Sequence, residues 1–156
     1  PFPVVLGVAG HSNNGKASDI YQRAFLGFVA RGIAVFAYDP PGQGERLEYL
    51  HPTTGQSTAG IGVGEHLAAG VPTLLTGQTI ARHFIWDGIR AIDYLTTRPD
   101  IDPTRIGVAG NSGGGTQAAY LALFEPRIRA VVSSCYITRW RELWSGPGPQ
   151  DSEQIW

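Results

Sequence analysis

The 156-residue sequence contains no methionine, one cysteine and no apolar run approaching the roughly 18 residues that would span a membrane. Each absence narrows what the chain can be. Lacking an initiator and starting at Pro1, it is expected to be a processed or excised piece of a longer soluble protein, and its compartment is left unknown. The opening Pro1-Phe2-Pro3-Val4-Val5 has neither the basic start nor the cleavage pattern of a signal peptide. A single cysteine cannot close an internal disulfide, and Cys135, ending the apolar run 130–135, is expected to be a buried structural thiol. Twelve basic residues face thirteen acidic ones, a net charge of -1 with no basic block, which excludes nucleic acid and an anionic membrane surface as partners. The four histidines, His11, His51, His66 and His83, show no His-x3-His or Cys/His spacing, so each reads as a loop or surface residue. No metal and no cofactor is expected.

What is present is an ordinary globular composition, 42% hydrophobic and 16% charged, enough for one domain. Residues 3–9 form a short β-branched run of the kind a buried parallel strand requires. Ser18 then caps a helix carrying Ile20, Ala24, Phe25, Phe28 and Val29 at helical spacing, and a second strand follows at 33–38. Strand, helix, strand in that order makes a parallel, right-handed crossover. Residues 39–77 are glycine-rich without sustained periodicity and are read as a long loop excursion near the active site. A helix is expected from about Thr79, with Ala81, Phe84, Ile85, Gly88, Ile92 and Leu95 on one side, then a strand at 105–109, a helix from Gly114 to about Phe124 and a fourth strand at 130–135. The fold class is α/β, a mostly parallel sheet with flanking helices.

Two motifs compete for the chemistry. Gly110-Asn111-Ser112-Gly113-Gly114 matches the Gly-x-Ser-x-Gly nucleophile elbow and stands between an expected strand and helix. Small residues two positions either side let the backbone turn sharply, and the Gly113 N-H together with the helix N-terminus would stabilise an oxyanion beside the serine oxygen. Ser112 is therefore the candidate nucleophile, unless it only caps the helix of a non-catalytic relative. The rival is Gly10-His11-Ser12-Asn13-Asn14-Gly15-Lys16, which fits a phosphate-binding loop using Lys16, with Asp39 at a strand end where a magnesium-orienting aspartate would stand. Ala17 has no hydroxyl for the metal, and Ser18 comes one position late. Trp140, Trp144 and Trp156 could line a substrate pocket, although the i, i+4 spacing of the first two more simply packs one helical face.

The segments PVVLGVAGHSNNGK, GIAVFAYDPPGQGER, WDGIRAIDYLTTRPDIDPTRIGVAGNSGGG and RIRAVVSSCYIT, in that order, resemble the α/β-hydrolase superfamily, in particular its acetyl-xylan-esterase, dienelactone-hydrolase and prolyl-oligopeptidase-like branch. Gly42-Gln43-Gly44 is similar to the Arg-Gly-Gln-Gly signature of acetyl-xylan-type esterases, with Pro41 in place of arginine. The resemblance implies a carboxylic ester hydrolase acting through an acyl-enzyme on a small-molecule or carbohydrate ester. It further implies that the loop after the first strand is an oxyanion loop: Ala9-Gly10 replaces the family's His-Gly pair, making the His11 backbone N-H the second donor beside Gly113. The superfamily's order is serine, acid, histidine, yet no histidine follows Ser112, and Asp151 precedes the strand that would carry the acid. Residues 1–156 are thus expected to form one incomplete domain, the N-terminal and central part of the fold, truncated to four of eight strands. Its missing partner would be the C-terminal half of the same protein, and alone it should be inactive.

Overall fold

A computed structural model of the chain describes residues 1–146 and 150–154. Four parallel strands form one sheet: β1 (Phe2–Val8), β2 (Ala34–Tyr38), β3 (Ile101–Asn111) and β4 (Ile128–Ser134), in the order β2-β1-β3-β4. The apolar runs of the sequence supply the two middle strands, β1 and β3, which pair from Val4 opposite Ile106 to Val8 opposite Gly110. Val4, Leu6, Val8, Ile106 and Val108 are buried there, as continuous hydrophobic strands of a parallel sheet must be.

Helix α1 (Asp19–Val29) connects β1 to β2 and turns Tyr21 inward; of the face expected from the sequence, Phe25 and Phe28 are half-buried while Ile20, Ala24 and Val29 are exposed. Helix α3 (Ile80–Thr97) buries Ala81, Phe84, Ile85, Gly88, Ile92 and Leu95, the stripe its 3.6-residue periodicity specified. Helix α4 (Gly113–Phe124) starts directly at the end of β3, and its Ala118 and Leu121 join the core of Leu6, Ile92 and Val108.

Helix α2 (Val63–Leu75) lies inside the stretch 39–77 that reads as loop. Its inner face is polar: Glu65, His66 and Gly70 are buried while Leu67, Val71, Leu74 and Leu75 are exposed. A helix that turns its polar side inward and carries Pro72 gives no amphipathic signal of the usual sense. Helix α5 (Trp140–Ser145) follows β4; Trp140 and Trp144 stack with ring centroids 6.3 Å apart but stay exposed, and Trp156 lies outside the described residues. Cys135 is exposed, not buried, because β4 turns out of the sheet there with a left-handed φ of 57°.

Candidate active site

The ends of β1 and β3 point the same way in neighbouring positions of the sheet, so their loops meet. Ser112 sits between the last residue of β3 and the first of α4 with φ 57° and ψ -122°, a conformation non-glycine residues adopt only under strain. The chain is held there from three sides. The Ser112 N-H donates to the Ser134 carbonyl at 2.9 Å, the Thr116 N-H donates to the Ser112 carbonyl at 3.0 Å, and the Ser134 hydroxyl donates to Asn111 Oδ1 at 3.0 Å. A Cβ on Gly110 would strike the Gly114 carbonyl, and one on Gly114 would strike that of Val8, so both flanking glycines are required by close backbone approach. The sequence-predicted elbow residues Gly110, Asn111, Ser112, Gly113 and Gly114 are therefore brought together.

The loop after β1 packs against the start of α4: a Cβ on Gly10 would lie 3.1 Å from the Gly113 nitrogen. Gly10 donates its N-H to the Tyr21 hydroxyl at 2.8 Å, and Ser12 donates its own to Gln43 Oε1 at 2.8 Å. Among the described residues the His11 N-H between them has no hydrogen-bond partner, and neither has the Ser112 hydroxyl. Gln43, from the Gly42-Gln43-Gly44 stretch, is buried and braces this loop from β2's side.

The phosphate-loop reading of Gly10 to Lys16 does not survive this geometry. Gly15–Ala17 is a 3-10 turn, and the anion it surrounds is the chain's own Asp39. Asp39 accepts from the Lys16 N-H at 2.6 Å, the Lys16 ammonium at 2.8 Å and the Glu45 N-H at 3.0 Å, while Lys16 also pairs with Glu45 at 2.7 Å. Burial raises the Asp39 pKa, but the bonds from Lys16 and Glu45 outweigh it and hold the carboxyl below its ordinary value. Asp39 is a loop-shaping residue.

A cluster that sequence spacing did not reveal lies behind the His11 loop. Asp151 Oδ2 is 2.6 Å from both His11 Nε2 and His66 Nδ1, and the other ring nitrogen of His66 is 2.8 Å from the Pro41 carbonyl. His66 is 1% exposed on the inner face of α2, so two of the four histidines are not free surface residues. Burial pushes the Asp151 carboxyl up, yet the bonds from His11 and His66 prevail and hold it below the usual carboxylate range; the same bond raises His11. Glu153 is buried beside Gly113, where desolvation first and the Asp151 charge second push its carboxyl up to about 7. The members come from positions 11, 66, 151 and 153, a separation that no local motif records.

A cleft of about 680 Å³ opens at the C-terminal end of β4, lined by Cys135, Tyr136, Ile137, Trp140, Leu143 and Gln154 among others. No elbow residue lines it; its link to the elbow is Ser134, the chain neighbour of Cys135, whose carbonyl accepts from the Ser112 N-H. Among the described residues no helix is long and apolar enough to cross a membrane.

A parallel sheet with flanking helices and a strained serine between strand and helix defines an α/β hydrolase. The acetyl xylan esterase (AXE1) family model matches residues 1–145, and the chain belongs to that family. It is 40% identical over 62 residues to YtaP of Bacillus subtilis (strain 168), a match covering 40% of this chain and 21% of that protein. It is 30% identical over 139 residues to the hydrolase LUC6 of Fusarium sp, covering 85% and 26% respectively. The crystal structure of acetyl xylan esterase 1 from Thermoanaerobacterium sp. JW/SL YS485 superposes with a TM-score of 0.66 at 28% identity, over 92% of this chain and 42% of that one. The chain thus spans about a fifth to a quarter of these curated relatives' length and about two fifths of the solved enzyme.

Proposed function

We propose that the chain carries the nucleophile and oxyanion hole of a serine-type carboxylic ester hydrolase acting on small-molecule or carbohydrate esters. The observation that carries this reading is the left-handed Ser112, whose hydroxyl has no partner among the described residues at the junction of β3 and α4. In the proposed reaction Ser112 Oγ attacks the ester carbonyl carbon, the carbonyl oxygen becomes an oxyanion, and the backbone N-H groups of His11 and Gly113 stabilise it. The C-O bond to the alcohol then breaks, the alkoxide takes a proton and leaves, and water releases the acid from the acyl-serine. The cleft beyond β4 offers room for the remainder of the substrate.

The proton must first leave Ser112, and no base lies within hydrogen-bond reach of its hydroxyl among the described residues. His11 and His66 are turned onto Asp151. We therefore read residues 1–156 as one incomplete domain, inactive until a further segment of the same protein supplies the general base and the acid that orients it. The test is fluorophosphonate labelling of this chain and of the full-length protein side by side, with mass spectrometry to locate the adduct and Ser112→Ala as control. Adduct on Ser112 of the full-length protein supports the reading, and its absence from the isolated chain supports the missing base. A folded full-length protein that takes no label sinks the esterase reading in favour of a non-catalytic relative.

A further inference from the structure

The cluster behind the His11 loop is more than a set of hydrogen bonds. We propose that His11, His66 and Asp151 form a binding site for a divalent transition cation of the zinc type, which clips the 151–154 turn and helix α2 to the loop after β1. One donor atom from each of the three lies within 4.8 Å of the others. The donor set, two imidazole nitrogens and one carboxylate, is the kind that zinc, cobalt and nickel take in preference to calcium or magnesium.

Two independent observations point to a cation. The first is the orientation of His66. The Pro41 carbonyl can only accept, so Nε2 must donate to it, and a neutral ring then turns the Nδ1 lone pair onto Asp151 Oδ2, which is itself an acceptor. A second ring proton on Nδ1 or a metal ion between the two resolves that conflict, and a ligating histidine whose second N-H is fixed by a backbone carbonyl is the usual outer arrangement of a metal site. Asp151 is braced in the same manner, its Oδ1 accepting from the Glu153 N-H at 2.9 Å, while the Ser152 hydroxyl donates to the His66 carbonyl at 3.0 Å.

The second observation is charge. Asp151 and Glu153 are both about 2% exposed, and Glu153 Oε1 is buried without a hydrogen-bond partner among the described residues. Among the described residues neither carboxyl pairs with a lysine or arginine; histidines are the only bases in contact with Asp151. Two buried carboxyls with no fixed cation are costly to hold charged unless one takes a proton or a cation joins them. Binding would spread the donors from 2.6 Å to about 3.3 Å apart, the separation set by metal-donor bonds of about 2.0–2.1 Å in a tetrahedron. The fourth position would stay open to water or to Glu153.

This site stands apart from the esterase reading, since neither Ser112 nor labelling enters its test. The chain is stripped with chelator, dialysed against cobalt(II), and examined by visible absorption and elemental analysis, with zinc-dependent thermal stability as a second readout. The expected result is one bound ion per chain, the intense visible bands of low-coordinate cobalt, and a melting temperature that rises with zinc. His66→Ala and Asp151→Asn should abolish the bands while His51→Ala, at an exposed histidine, keeps them. Folded wild-type chain that retains no ion and shows no bands overturns the site and leaves the cluster held by protons. Full cobalt binding in folded His66→Ala and Asp151→Asn variants overturns it equally. Should those variants fail to fold, wild-type stoichiometry and spectrum still decide.

Discussion

Ser112 and Ser134 are joined by a 2.9 Å hydrogen bond from the first residue's N-H to the second's carbonyl, which ties the strained elbow to the last residue of the neighbouring strand. The strain at Ser112 is thus sustained by β4 as well as by α4. Residues forced into such sparsely populated conformations cost about 1–3 kcal/mol, and glycine alone adopts them freely. Ser112→Gly should therefore be more stable than Ser112→Ala by about 1–2 kcal/mol, read from urea midpoints at equal m-values. Equal stability of the two variants would mean that the turn stores no strain.

Asp39 makes a prediction about acid. Its carboxyl lies below its ordinary pKa in the folded chain, so the unfolded chain binds the proton more readily. The stabilisation is complete above the ordinary aspartate value and is lost as pH falls through the folded one. Between roughly pH 5 and pH 3 the wild-type urea midpoint should fall more steeply than that of Asp39→Asn. At neutral pH the variant should be less stable by about 1–3 kcal/mol, since its amide replaces a carboxylate accepting from two backbone N-H groups and Lys16. Parallel pH profiles would remove Asp39 from its loop-shaping role.

Cys135 bears on the surface around the cleft. An exposed thiol at the cleft rim should react with an aromatic disulfide reagent in the native chain at a rate close to that in denaturant. A native rate slower by a hundredfold or more would show the thiol to be covered.

The strands and the helices α1, α3 and α4 were legible because their apolar residues follow period and run length, and the elbow was legible because a sharp strand-to-helix turn demands glycine at 110 and 114. Helix α2 was hidden because it buries Glu65 and His66 and exposes its leucines, the reverse of the pattern that marks a surface helix. Gly10 to Lys16 looked like a phosphate cradle because a loop that wraps a carboxylate uses the same glycine and lysine as one that wraps a phosphate. Cys135 was misjudged because an apolar run fixes strand identity but not where the strand leaves the sheet. His11, His66, Asp151 and Glu153 come together only through tertiary structure.

The pairing of β1 with β3 also governs the order in which the molecule can assemble. Val8 and Gly110, whose following loops meet, stand about a hundred residues apart in the chain, with β2, α2 and α3 made in between. Closing so long a loop is entropically slow, and no contact local in sequence can stand in for it. Nascent chains emerging from the ribosome would hold the His11 loop unanchored until β3 and α4 had both appeared. The juxtaposition of the His11 loop with the start of α4 is then a late event in folding.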